Sequence, residues 1–264
     1  MPRFFAPFLL VVVLLVAAGC GGDEGSGSGS GSSGGGGDRP SLTVSAATSL
    51  KTAFTAYGEG FDAAEARFSF AGSDELAAQI QQGVKPDVFA SANTKLPDAL
   101  YADGLVDKPV VFAANRLVLA VPKDSAIAGL DDLTAKDVKL AIGSESVPIG
   151  AYTRQVLAKL PGDQGKAILA HVRSNEPDVG GIVGKLTQGA ADAGFVYVTD
   201  VEATQGELKA IDLPDDVQPQ VAYGVAVVKG AKHPQQAQAF IDGLLGGAGR
   251  DELRKAGFEP PPGQ

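Results

Sequence analysis

Apolar and polar residues alternate over positions 41–46 (Ser-Leu-Thr-Val-Ser-Ala), which predicts a half-buried β-strand. The rhythm then changes. Leu50, Phe54, Tyr57 and Phe61 step by three or four, predicting a helix over 50–61 with Thr48-Ser49 at its approach. Positions 67–71 read as a second strand. Gly72-Ser73-Asp74 then lead into a helix over 75–82, where Leu76 and Ile80 share a face. Pro86-Asp87 precede a strand over 88–92. Further strands are predicted over 116–121, 139–143, 193–198 and 221–228. Helices are predicted over 151–160, 179–188, 234–245 and 250–255. Strand, loop, helix, strand is the βαβ rhythm, so the fold class is α/β, with mostly parallel sheets flanked by helices. No repeat with a period of 20–50 residues is visible.

The first 40 residues break this rhythm. Arg3 precedes an apolar run over 4–18, too short for a membrane span of about 20 residues and suited to the core of a secretory signal. The run ends in Ala17-Ala18-Gly19-Cys20, which resembles a bacterial lipobox. On that resemblance 1–19 are a lipoprotein signal peptide, and Cys20 is the lipid attachment point. The other reading of Cys20, a core thiol on a buried helix, fits poorly with the Gly/Ser run directly after it. Residues 20–40 are nearly all Gly and Ser, a tether that cannot bury apolar surface and reaches about 25 Å as a flexible coil. The expected location is the outer face of the cell membrane. The single cysteine leaves no partner for an intrachain disulfide.

Charge and motifs remove several classes of function. The net charge is −9 and no basic cluster stands out, which argues against nucleic acid as a partner. Any anion would have to be caught by local groups against the overall field. Gly29-Ser30-Gly31-Ser32-Ser33-Gly34 spells a dinucleotide fingerprint, and Gly31-Ser32-Ser33-Gly34-Gly35 a nucleophile elbow. Both lie in the tether, without the strand-turn-helix context that gives them meaning. The run from Gly180 to Lys185 is one residue short of a phosphate loop, and Leu186 stands where a magnesium-binding hydroxyl belongs. His171 and His233 lie in no metal-ligand spacing, and no carboxylate pair suggests acid–base work. The chain reads as a non-enzyme without a cofactor.

What recurs is a loop with hydroxyls or backbone donors between a strand and a helix: Thr48-Ser49, Gly72-Ser73, Pro148-Ile149-Gly150 and Val179-Gly180. Helix first turns leave N–H groups free and carry partial positive charge, which favours a bound anion. Each loop alone has a plainer reading. Ser49 and Ser73 serve as helix caps, Pro148 as a turn residue, and Tyr197 as a core tyrosine with one hydrogen bond.

Taken together, the loops and their surroundings resemble the periplasmic molybdate-binding proteins of ABC importers. The resemblance rests on Ala46-Ala47-Thr48-Ser49-Leu50, Phe70-Ala71-Gly72-Ser73 with Leu76, Gln79, Ile80 and Gly83, and Pro86-Asp87-Val88-Phe89-Ala90-Ser91-Ala92. It continues in Val147-Pro148-Ile149-Gly150-Ala151-Tyr152, Phe195-Val196-Tyr197 with Asp200, and Ala256-Gly257-Phe258, in order across 42–258. It implies a two-lobed type II periplasmic-binding fold with the ligand in the cleft between lobes. Lobe 1 would be 41–115 plus 224–264 and lobe 2 would be 116–223, with chain crossings near Asn115 and Tyr223. It further implies oxyanion binding by the hydroxyls of Ser49, Ser73 and Tyr197, and by N–H groups of Ser49, Ser73, Ile149 and Val179. Thr48 adds a hydroxyl or merely packs. The implied partners are a small oxyanion, molybdate or tungstate, and an ABC importer permease, with the membrane reached through the lipid anchor and the protein a monomer.

One departure stands out. Asp74 occupies a position where the family often carries serine, unfavourable beside an anion unless the carboxylate turns away to cap its own helix. A site made only of donors would reject a protonated oxyanion such as phosphate, while lobe closure would separate molybdate and tungstate from smaller sulfate. The alternatives are a binding protein for another oxyanion such as sulfate or phosphate, a hydrolase using Ser49 or Ser73, and a sensor or adhesin module with an exposed apolar patch.

Overall fold

The computed structural model describes residues 39–135 and 137–263. The apolar leader, Cys20 and nearly all of the tether lie outside the described residues. Two five-stranded sheets, each flanked by helices, make two lobes.

The first sheet has the order β2-β1-β3-β10-β4, with β1 Ser41–Ala47, β2 Glu65–Ala71, β3 Val88–Ser91, β4 Val110–Asn115 and β10 Val221–Val227. The second has the order β7-β6-β8-β5-β9, with β5 Leu117–Pro122, β6 Leu140–Gly143, β7 Val172–Glu176, β8 Ala193–Tyr197 and β9 Leu208–Asp212. In each sheet one strand, β10 or β5, runs antiparallel to the rest. Both sheets are therefore mixed, with four strands running one way. Central β3, β6 and β8 are buried throughout, whereas edge strands β2 and β7 alternate between more and less exposed residues. That contrast is what helix cover on both faces of a sheet produces.

The helices are α1 Lys51–Glu59, α2 Ser73–Gln81, α3 Lys95–Ala102, α4 Pro148–Lys159, α5 Gln164–Leu169, α6 Val179–Thr187, α7 Val198–Ala203, α8 Pro234–Gly246 and α9 Ala248–Lys255. The apolar stripe predicted on α1 is buried. Phe54 and Tyr57 pack with Phe61, Phe68 and Phe240 at ring separations of 4.6–6.2 Å. Three helices begin earlier than their apolar periodicity suggests, α9 among them, from Ala248 rather than Arg250. α4 starts at Pro148 rather than Ala151, since proline suits the first helical position, and α2 starts at Ser73 rather than Glu75. The shifts of α4 and α2 each place a predicted site residue inside a helical first turn.

The periodicity does not reveal α3, α5, α7, β4, β7 or β9. α5 and α7 are six residues long, and β7 and β9 are edge strands with charged side chains on their exposed face. β4 and β5 are separated by Arg116 alone, yet they lie in different sheets. There the chain first passes between lobes, and it returns between Asp212 and Val221. Hydrogen bonds brace this region. Asn115 Nδ2 donates to Thr199 Oγ1 at 2.9 Å, and Gln218 Nε2 donates to the Leu117 carbonyl at 2.9 Å.

Candidate functional site

The loops after β1, β2, β3, β6 and β7, with the end of β8, line one narrow cleft with a free volume of about 10 Å3. Thr48, Ser49, Ser73, Ile149, Val179 and Tyr197 all lie on its wall. Residues up to 149 positions apart in the chain thus meet across two lobes, at strand ends where open α/β sheets place their ligands. A wider groove of about 430 Å3 shares Thr48 and Ser49 but is otherwise lined by mixed charges, including Lys51, Asp200, Glu202 and Lys255. The smaller cleft is the better candidate, because its polar groups converge.

Ser49 sits in a short 3₁₀ turn, Thr48–Leu50, ahead of α1, and its Oγ lies 3.0 Å from the Tyr223 hydroxyl. Ser73 opens α2, is 1% exposed, and its Oγ accepts from the Ala92 N–H at 3.1 Å. Neither serine caps its helix through its side chain, so the plainer capping role is not what the fold uses. Ile149 is the second residue of α4 and Val179 the first of α6, positions whose N–H groups have no helical acceptor. Helix dipoles add partial positive charge there.

Tyr197 ends β8, and its buried hydroxyl has no hydrogen-bond partner among the described residues; Thr48 Oγ1 is in the same condition. The nearby Tyr223 hydroxyl is engaged with Ser49. An unpartnered buried polar group costs about 1–3 kcal/mol, so a native protein that keeps one has a reason to. Burial raises the pKa of Tyr197 and Tyr223 well above the ordinary tyrosine value, with neighbouring acidic groups adding to it. Both phenols therefore stay protonated near neutrality and can donate.

Two carboxylates complicate the picture. Asp178 lines the cleft, so its wall is not made of donors alone; its Oδ1 accepts from Gly181 N at 3.0 Å as the cap of α6. Asp74 does not cap its own helix. Its Oδ2 instead accepts from Ser146 Oγ of the opposite lobe at 2.5 Å, while Oδ1 is buried without a partner among the described residues. Behind the cleft, burial pushes the Asp200 carboxyl up to about 7, a bond from Tyr197 N–H opposes this, and Asp178 adds to it. Asp200 keeps some exposure to the wider groove although its carboxyl is enclosed by protein.

Sequence reasoning missed Tyr223, Ala92 and Asp178. An aspartate directly before a helix is a readable cap signal, which would have found Asp178. Tyr223 and Ala92 reach the site through pairings 174 and 19 residues apart, for which no local signal exists.

Residues 42–259 match the model of the bacterial extracellular solute-binding proteins. The chain belongs to that family. Among its relatives, the molybdate-binding protein ModA of Mycobacterium tuberculosis strain H37Rv is 35% identical over 228 residues, covering 84% of this chain and 85% of the relative. The resemblance carried by the motifs is thus borne out. The fold of this solute-binding protein is also that of the Azotobacter vinelandii periplasmic molybdate-binding protein (TM-score 0.75, 20% identity, covering 83% of this chain and 99% of that one). It is shared as well by the sulfate-binding protein SubI of Mycobacterium tuberculosis (TM-score 0.73, 18% identity, covering 84% and 87%).

Proposed function

We propose that this solute-binding protein captures a tetrahedral oxyanion, molybdate and with it tungstate, and delivers it to the permease of an ABC importer while tethered to the membrane through Cys20. The observation that carries the reading is the unpartnered, buried, protonated hydroxyl of Tyr197, facing a cleft it shares with Ser49, Ser73 and the first turns of α4 and α6. Such a set holds a dianion without a countercharge. Each N–H or O–H bond to a charged acceptor contributes about 1.5–3 kcal/mol, and several offset the net charge of −9. The relative's name supports molybdate as the first ligand to test.

Sulfate is the second reading, favoured by the fold shared with a sulfate-binding protein. Hydrogen phosphate fits less well. It brings a proton that needs an acceptor. Among the described residues the single carboxylate lining the cleft, Asp178, has one oxygen bound to Gly181 N–H, so its second oxygen alone would have to receive that proton.

Thermal unfolding of the full chain in detergent, with molybdate, tungstate, sulfate, phosphate or nitrate, tests the proposal. A ligand at 100 times its Kd adds about 2.7 kcal/mol of stability. Large shifts with molybdate and tungstate and a small one with sulfate are expected. A sulfate shift as large as that of molybdate would replace the ligand. No shift with any oxyanion would sink the reading.

A further inference from the structure

A glycine of the cleft is small because of the lobe opposite it. Gly72 has φ −59° and ψ 136°, a backbone that any residue adopts. Its own lobe offers an added Cβ only Asp74 Oδ1 at 2.8 Å, the end of a side chain that can rotate. The obstacle that cannot rotate is the Pro177 carbonyl oxygen, on the loop between β7 and α6 of the second lobe, well inside van der Waals contact of that Cβ. Gly180, on the wider groove, is crowded more weakly, by side-chain ends of both lobes, its own Asp178 Oδ1 at 3.0 Å among them. A Cβ there would lie 2.9 Å from Thr48 Cγ2 of the first lobe. Beside these contacts stands the hydrogen bond from Ser146 Oγ to Asp74 Oδ2, 2.5 Å long, again joining one lobe to the other.

We infer that Gly72 against Pro177, with the Asp74–Ser146 bond beside it, determines how far the lobes close and so selects the size of the oxyanion held between them. Gly72 adjoins Ser73, Pro177 lies two residues before Val179, and Ser146 three before Ile149. The closure contacts therefore sit on the same loops as the donors, and their spacing fixes the donors' spacing across the cleft. A methyl group at 72 holds Ser73 away from Val179 and leaves the fold of each lobe alone. Removing the Ser146 hydroxyl leaves the closed state possible but less favoured. Asp74, out of place as an anion neighbour, acquires a role as the acceptor that ties α2 to the β6–α4 loop. This inference rests on the oxyanion reading above.

The test uses the full chain in detergent, with calorimetry against molybdate and hydrogen exchange over 70–76, 144–150 and 177–183. In the unaltered chain, molybdate should protect segments of both lobes. Gly72→Ala should weaken molybdate binding roughly tenfold to a hundredfold, the equivalent of losing one charge-assisted bond. It should also lose the protection of one lobe, with its ligand-free unfolding temperature unchanged within about 2 °C. Ser146→Ala, at an exposed hydroxyl, should fold normally and release molybdate severalfold faster. Unchanged affinity and footprint in both variants would overturn the inference while leaving the oxyanion reading intact. A ligand-free unfolding temperature lowered by more than about 5 °C in Gly72→Ala would also overturn it, by showing that the first lobe itself needs the glycine. If the unaltered chain binds neither molybdate nor tungstate, both readings fall together.

Discussion

In the first lobe β1 lies between β2 and β3, and in the second β6 lies between β7 and β8, so the loops that reach the cleft occupy equivalent places in the two sheets. What they present there differs. Ser49 and Ser73 of the first lobe already have partners within that lobe, Tyr223 and the Ala92 N–H. The second lobe offers first-turn N–H groups at Ile149 and Val179, and a phenol whose hydroxyl is unbonded among the described residues. The two serines of the first lobe are therefore held by its own hydrogen bonds, with Thr48 Oγ1 the exception, while the second lobe carries polar groups that a ligand must satisfy. Ser49 and Ser73 have two roles, structural and binding, whereas a second-lobe donor has one.

The largest test of that contrast is Ser73→Ala. It leaves the buried Ala92 N–H unpaired, so calorimetric unfolding should show a loss of about 1–3 kcal/mol in stability, with oxyanion affinity falling as well. A stable variant with only an affinity defect would erase the difference between lobes. Val179→Pro comes next. Asp178 before it is extended (φ −153°, ψ 174°) and Val179 is the first residue of α6, a place where proline is well accepted. Deleting that single N–H should weaken binding about tenfold to a hundredfold by titration calorimetry while the lobe stays folded.

Tyr197→Phe should weaken binding about tenfold yet leave ligand-free stability the same or slightly higher, because it removes a buried hydroxyl without a partner. A marked loss of stability would mean that the phenol has a structural bond after all. The smallest expected effect is one of pH. Asp200 stands near 7 in the folded chain against an ordinary 3.8. Between these values the unfolded chain ionises and the folded one does not, so the stability it contributes is lost as pH rises through about 7. Its ionised form also lies close to the buried tyrosines of the site. Oxyanion affinity should therefore decline a few-fold between pH 6 and pH 8, and Asp200→Asn should flatten that slope.

Much of this was legible beforehand. The 3.6-residue rhythm of Leu50, Phe54 and Tyr57 located α1, and hydroxyls or glycines after strands located the loops of the cleft. The duplicated strand order was not legible, because the two lobes share a plan without sharing a visible repeat. The break between β4 and β5 was hidden too, since one residue divides two apolar stretches that go to different sheets.

The sequence by itself determined the α/β class, the strand-to-helix loops and the residue types that can donate to an anion, since these depend on periodicity and on local backbone chemistry. Tertiary structure alone decided which of those groups are free. Ser49 meets Tyr223 across 174 residues, Asp74 meets Ser146 across 72, and the Tyr197 hydroxyl is left unbonded among the described residues. Hydrogen bonds and steric contacts act over a few ångströms in space, and only folding brings residues so far apart in the chain within that range.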